Sequence, residues 1–164
     1  MPESLFEREE IWHPLSVHFP VALLLFATII HLIALFLKER RKEMWEFSGS
    51  LLLYSGSLLA WFSIYTGDIA DGVVGRTICD PTVLKSHEIA AFTMAYLFTS
   101  ASVGNLLLVF VKLNEKLLLP LKYLVVILTL AGSGYLIYTG HLGASLVYQQ
   151  GAGVIKPSSD CSDF

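Results

Sequence analysis

Four long segments of the chain contain hydrophobic and small polar side chains but no Asp, Glu, Lys or Arg. They are residues 15–37, 47–67, 89–111 and 123–155. Each segment is longer than the roughly 20 residues that an α-helix needs to cross a hydrocarbon layer of about 30 Å. Because lipid offers no hydrogen-bond partner to an open strand edge, segments of this kind predict helices. We therefore predict an all-α, polytopic membrane protein whose four transmembrane helices form one bundle.

The charged positions between these segments give the expected bounds within a single membrane domain, residues 1–164. Helices are expected at about 14–38, 46–67, 86–112 and 120–141, with a loop at 68–85 and a tail at 142–164. The composition, 54% hydrophobic and 15% charged with mean hydropathy +0.62, excludes a water-soluble globule. The net charge of −3 provides no basic patch for nucleic acid. We expect the lipid bilayer as a partner, and no nucleic acid.

The basic residues predict how the helices are oriented. Seven of the eleven Lys and Arg residues lie in or beside the two short connections after the first and third helices: Lys38, Arg40, Arg41, Lys42, Lys112, Lys116 and Lys122. Short loops rich in Lys and Arg stay cytoplasmic. Both termini and the loop 68–85 are therefore expected on the outer, periplasmic side.

The two cysteines, Cys79 and Cys161, both fall on the outer side of this topology. A pair of cysteines in an oxidising compartment is a disulfide candidate. We expect a bond between them, with two unpaired thiols as the alternative.

A short repeat links the second and fourth helices. Ile64 to Gly67 and Ile137 to Gly140 are identical over four residues, at a separation of 73. Pro14 and Pro81 each stand where a helix would begin, and a histidine follows each of them. These features predict two helical hairpins of one design, although membrane helices also resemble one another by composition alone.

Four of the five histidines are expected at the outer membrane face. His13 and His18 lie at the start of the first helix, His87 at the start of the third and His141 at the end of the fourth, and Asp68 joins them from the end of the second. Ionisable groups at membrane depth are costly and point to a functional site. Neutral imidazole also binds iron, copper and zinc well.

Three interpretations of this cluster remain open. Two histidines from different helices could ligate haem b iron, with His18 and His87 as the preferred pair and His13 with His141 as the alternative. Three or four of these side chains with Asp68 could instead bind a bare ion of copper, zinc or iron. In the third interpretation each histidine is an interfacial residue satisfied by a carbonyl or water. His31 lies about 20 Å deeper and is expected to be a hydrogen-bonded core residue.

The segment His13-Pro14-Leu15-Ser16-Val17-His18-Phe19-Pro20 and the Gly-rich ending around Leu146-Val147-Tyr148 resemble a bacterial inner-membrane family, domain of unknown function 2231. The resemblance covers nearly the whole chain. It implies a four-helix inner-membrane protein with His13, His18 and His87 in the family's histidine positions.

Taken together, these features favour a b-type haem-binding electron-transfer subunit rather than a stand-alone enzyme. The haem would lie near the periplasmic face, and a periplasmic cytochrome, a quinone or a larger membrane complex would be its partner. The alternative function is a metal-binding or purely structural membrane subunit.

Overall fold

The computed structural model describes residues 7–112 and 114–154, and four α-helices make up most of this part of the chain. A 3-10 turn, Glu9–Ile11, leads into α1 (Trp12–Ala34), which is followed by α2 (Glu39–Val74), α3 (Pro81–Phe110) and α4 (Glu115–Tyr148). All four helices are long and apolar enough to cross a bilayer, and the described residues contain no strand. The prediction of an all-α, four-helix membrane protein is confirmed.

The helices extend beyond their expected bounds at the end that carries most of the histidines. α2 continues to Val74 and α3 begins at Pro81, so the connection spans residues 75–80 rather than 68–85. α4 continues to Tyr148, well past the expected end at 141. A charge marks where a helix leaves the hydrocarbon, but a helix ends only where its backbone groups find other partners.

Capping side chains fix where α3 and α4 begin. The Asp80 carboxylate accepts hydrogen bonds from the hydroxyl and the backbone N–H of Thr82, at 2.7 and 2.9 Å. These two bonds hold the pKa of Asp80 below its ordinary value, and Pro81 fits the first helical position because no N–H is needed there. Asn114 caps α4 in the same way, accepting from the N–H of Lys116. Both caps precede the apolar pattern, so the helices begin earlier than that pattern indicates.

The four helices form two hairpins packed side by side. α1 packs mainly on α2 and α3 mainly on α4, while the α2–α3 and α1–α4 contacts between the hairpins are less extensive. This arrangement places α1 and α3 on one diagonal of the bundle. Side chains of α1 and α3 can therefore meet only across the space between the hairpins.

The two hairpins use the same device to bring their helices together. Leu24 of α1 packs against Gly56 of α2, and Phe98 of α3 packs against Gly132 of α4. A Cβ atom would lie 2.8 Å from the Leu24 side chain at Gly56, and 2.9 Å from the Phe98 ring at Gly132. Small residues let helix backbones approach closely in lipid, where apolar burial alone does not drive association.

Hydrogen bonds between the hairpins are repeated as well. The hydroxyls of Thr28 on α1 and Ser133 on α4 are 3.0 Å apart, and those of Ser102 on α3 and Ser57 on α2 are also 3.0 Å apart. Such crossed pairs are what a two-fold axis along the bundle produces. The expected duplication is therefore visible in the packing, as an approximate two-fold symmetry.

These contacts give the register of the repeat. α1 corresponds to α3 at a separation of 74 residues, and α2 to α4 at a separation of 76. The sequence identity at a separation of 73 is therefore about one turn out of register, which keeps the matching residues near the same face. Gly67 corresponds to Gly143 rather than to Gly140, and Asp68 corresponds to Ala144 rather than to His141.

Candidate functional site

His13 of α1 and His87 of α3 meet between the two hairpins. Their ring centroids are 6.1 Å apart and their ring planes are inclined by 85°. The two residues occupy equivalent positions of the repeat, so the pair lies across the approximate two-fold axis. Both rings are partly buried.

Each of the two imidazoles is held by a carbonyl of the partner helix in its own hairpin. His13 Nδ1 lies 2.9 Å from the carbonyl oxygen of Ser63, and His87 Nδ1 lies 3.0 Å from that of Thr139. Because a carbonyl only accepts, Nδ1 carries the proton and donates it in both bonds. The lone pair of each neutral imidazole is then on Nε2. A second hydrogen bond of this kind is what orients metal-ligating histidines.

A glycine lies one turn beyond each of these carbonyls. A Cβ atom at Gly67 would lie 3.1 Å from Cε1 and 3.2 Å from Nδ1 of His13, and one at Gly143 would lie 3.3 Å from Cε1 of His87. On a helix, the residue four positions later covers the outward side of a carbonyl. The two glycines therefore leave room for each imidazole to reach its acceptor.

Hydroxyl groups surround the anchor of His13. Thr66 donates to the Ser63 carbonyl at 2.9 Å, and the hydroxyls of Thr66 and Ser16 are 2.9 Å apart. The Ser63 hydroxyl is itself buried and has no hydrogen-bond partner among the described residues. A buried polar group without a partner is costly, and ligands or water commonly satisfy such groups.

The other candidates lie apart from this pair. His18, His141 and Asp68 are exposed. His18 is five residues after His13, about 140° further round the helix, so its side chain points away from the space between the hairpins. The structure therefore brings together His13 and His87, and not the expected pair of His18 with His87 or of His13 with His141.

A bare-ion site with three or more protein ligands does not form from these residues. Within residues 7–112 and 114–154, no group of three or more His, Cys, Asp or Glu side chains is close enough to hold a metal ion. The repeat positions of His18 and His141 are held by Phe92 and Tyr65, so neither of these histidines has an equivalent ligand in the other hairpin. Tyr65 is exposed, and Phe92 packs against Trp61.

His31 lies at the opposite end of α1 and is buried against the backbone of Gly49 on α2. It is a core residue as expected, and its interaction with the Gly49 backbone is too bent or too long to satisfy Nε2 fully. The corresponding residue of α3 is Asn105, which accepts a hydrogen bond from Tyr54 of α2. In α4 the position of Tyr54 is taken by Leu130, which has no polar group to offer.

Cys79 is exposed in the connection between the hairpins. It lines a cleft of about 620 Å³ together with Arg8 and Val154, the last described residue. Cys161 lies outside the described residues, so the expected disulfide stays a prediction.

Sequence reasoning found both histidines of the pair but missed their anchors. Ser63 and Thr139 act through backbone carbonyls, which no side-chain pattern reveals. The signal that could have found them is a separation of 76 residues, which relates Ser63 to Thr139 and Gly67 to Gly143.

The fold and the histidine pair define a four-helix membrane protein built from two equivalent hairpins, each of which contributes one histidine anchored by a carbonyl. The chain belongs to the family described as "Predicted membrane protein (DUF2231)", whose model matches residues 11–156. No curated protein and no solved structure gave a significant match to the chain. The matched range includes both histidines, their carbonyl anchors and the two glycines.

Proposed function

We propose that His13 and His87 are the axial ligands of one haem b between the hairpins, and that the chain is an electron-transfer subunit of the membrane. The observation that carries this proposal is the pair itself. Two imidazoles of equivalent position are both anchored through Nδ1, which leaves Nε2 free for a metal.

The separation of the rings suits one shared metal. The ring centroids are 6.1 Å apart. Since an imidazole nitrogen binds a metal at about 2 Å, both rings can reach one ion when their Nε2 atoms face it. The unpartnered Ser63 hydroxyl beside His13 also supports a further polar group at this place.

The number of ligands favours haem over a bare ion. Zinc sites use three or four protein ligands, whereas haem iron receives four nitrogens from the porphyrin and needs only two from the protein. Among the described residues, the pair is not joined by a third His, Cys, Asp or Glu in a metal-binding group. Metal binding without haem is the alternative that the experiment below distinguishes.

Haem iron would supply one-electron oxidation and reduction at this site. The chain's own part is to orient the two imidazoles through the carbonyls of Ser63 and Thr139. We infer that the site lies at the periplasmic face of a bacterial inner membrane, because the Lys-rich connections are at the opposite end of the bundle. A periplasmic cytochrome, a quinone or a larger membrane complex would then exchange electrons with it.

The same orientation supports the disulfide between Cys79 and Cys161. Cys79 and Val154 line one cleft, and Cys161 follows Val154 by seven residues, so the chain can reach back to Cys79. The bond would hold the C-terminal segment near the outer end of the bundle.

Optical spectroscopy of the purified protein tests the proposal. We expect a reduced-minus-oxidised spectrum with b-type bands, and loss of low-spin haem in His13→Ala and in His87→Ala, because each removes one axial ligand. His18→Ala and His141→Ala are matched controls that remove exposed histidines and should keep the spectrum. Stoichiometric metal without haem would favour the bare-ion alternative. Retention of full low-spin haem by both His13→Ala and His87→Ala would refute the assigned pair.

A further inference from the structure

The two hairpins differ from each other at two neighbouring positions beside the histidine pair. Ser16 of α1 and Thr66 of α2 correspond by the repeat to Ala90 of α3 and Leu142 of α4. The first hairpin therefore has two hydroxyls where the second has two apolar side chains. Thr66 is 4% exposed, so its hydroxyl must find its partners within the protein.

In the first hairpin, the carbonyl that anchors His13 also accepts a hydrogen bond from a hydroxyl. The Thr66 hydroxyl donates to the Ser63 oxygen at 2.9 Å, the same oxygen that accepts from His13 Nδ1 at 2.9 Å. The Ser16 hydroxyl lies 2.9 Å from that of Thr66 and donates to the His13 carbonyl at 2.9 Å. Because each hydroxyl has one proton, it is the Thr66 hydroxyl that donates to the Ser63 oxygen.

The anchor of His87 is not shared in this way. Thr139 provides the carbonyl, but its own hydroxyl donates to the carbonyl of Tyr135 at 2.8 Å. Leu142, at the position of Thr66, has no hydroxyl to donate. The two imidazoles occupy equivalent positions of the repeat. The carbonyl oxygens to which they donate therefore differ in hydrogen-bond acceptor strength.

We propose that Thr66 is a positioning residue that makes His13 the weaker electron donor of the two ligands. This inference rests on the proposed haem site. Each donor to a carbonyl oxygen withdraws electron density from it, so a shared oxygen forms a weaker bond with Nδ1–H of His13. A weaker bond at Nδ1 leaves the imidazole less basic at Nε2. A less basic axial ligand stabilises ferric iron less, and the reduction potential is higher.

The matched variants are Thr66→Val and Thr129→Val. Both replace a buried Thr by a residue of the same shape, and both remove a hydroxyl that donates to the carbonyl three residues earlier in its own helix. Only Thr66→Val frees the oxygen that anchors a ligand. In a redox titration of the haem-loaded protein we expect a lower midpoint potential for Thr66→Val than for wild type, and no shift for Thr129→Val. Equal shifts in the two variants, or no shift in Thr66→Val, would overturn the inference.

A second measurement separates this inference from the haem proposal. In protein prepared without haem, we expect the His13 Nδ1–H proton of Thr66→Val to move downfield in a histidine-labelled NMR spectrum, because its hydrogen bond becomes stronger. The His87 signal should stay in place in both variants. If the wild-type protein binds no haem, the proposed function fails, and this NMR comparison still decides whether Thr66 weakens the anchor of His13.

Discussion

At the scale of single residues, the site depends on backbone atoms as much as on side chains. Each imidazole reaches a carbonyl because a glycine follows one turn later. Gly67 is the tighter of the two positions, since an added Cβ would lie 3.1 Å from the His13 ring.

We therefore expect Gly67→Ala to weaken haem binding by about fivefold, because the displaced ring loses a hydrogen bond worth about 1 kcal/mol. Haem titration of the purified variant measures this change. Gly140→Ala is the matched control, because a Cβ there meets no atom within 4 Å while the gain in helix propensity is the same. Equal affinities in the two variants would show that the glycine is not needed for the anchor.

The sequence indicated four histidines at one membrane depth, and two of the four form the observed pair. It did not indicate which two, because His13 and His18 lie in one helix and only packing decides which of them faces the other hairpin. The carbonyl partners could not be predicted at all. Every residue has a carbonyl, and only tertiary contact selects that of Ser63.

At the scale of helices, the apolar pattern predicted the number of helices correctly. The ends of the helices depend on capping side chains and not on the apolar pattern. Asp80 starts α3 because its carboxylate accepts the N–H and the hydroxyl of Thr82. The four-residue identity between α2 and α4 also did not give the correct register of the repeat. A shift of three residues is nearly one helical turn, so the wrong register still places similar residues on similar faces.

The cap at Asp80 gives a pH-dependent prediction. Its folded-state pKa is depressed, so its contribution is present above the ordinary carboxyl pKa of about 4 and is lost as the pH falls through the folded-state value. At neutral pH we expect Asp80→Ala to speed amide exchange in the first turn of α3, whereas Asp80→Asn should retain the cap. The Thr82 N–H resonance should report acid release in wild type and no comparable titration in Asp80→Asn. Protection of the first turn in Asp80→Ala would contradict this assignment.

At the scale of the whole molecule, the charge distribution predicts orientation. The start of α2, which carries Arg40 and Arg41, is expected in the cytoplasm, and the end of the bundle with the histidine pair is expected outside. A reporter that is active only in the periplasm should work when fused after Phe164 and fail when fused near Arg41. The opposite pattern of reporter activity would show that the bundle has the reverse orientation in the membrane.

The two cysteines provide a second test of this membrane orientation. Peptide mapping without reductant is expected to find Cys79 linked to Cys161, since both are expected in the oxidising compartment. Freely alkylated thiols in fresh membranes would contradict the bond. Loss of the bond, in Cys161→Ser, is expected to cost a few kcal/mol of stability, because it closes a long loop of the chain.

The approximate two-fold symmetry also determines how the two ligands can change. In a symmetric dimer of identical hairpins, any substitution beside one imidazole would appear beside the other as well. Here both hairpins belong to one polypeptide, and position 66 can carry a hydroxyl while position 142 carries Leu. Because the two halves form one chain, equivalent positions can be substituted independently. A single amino-acid change can then alter the surroundings of one imidazole while the other imidazole keeps its geometry.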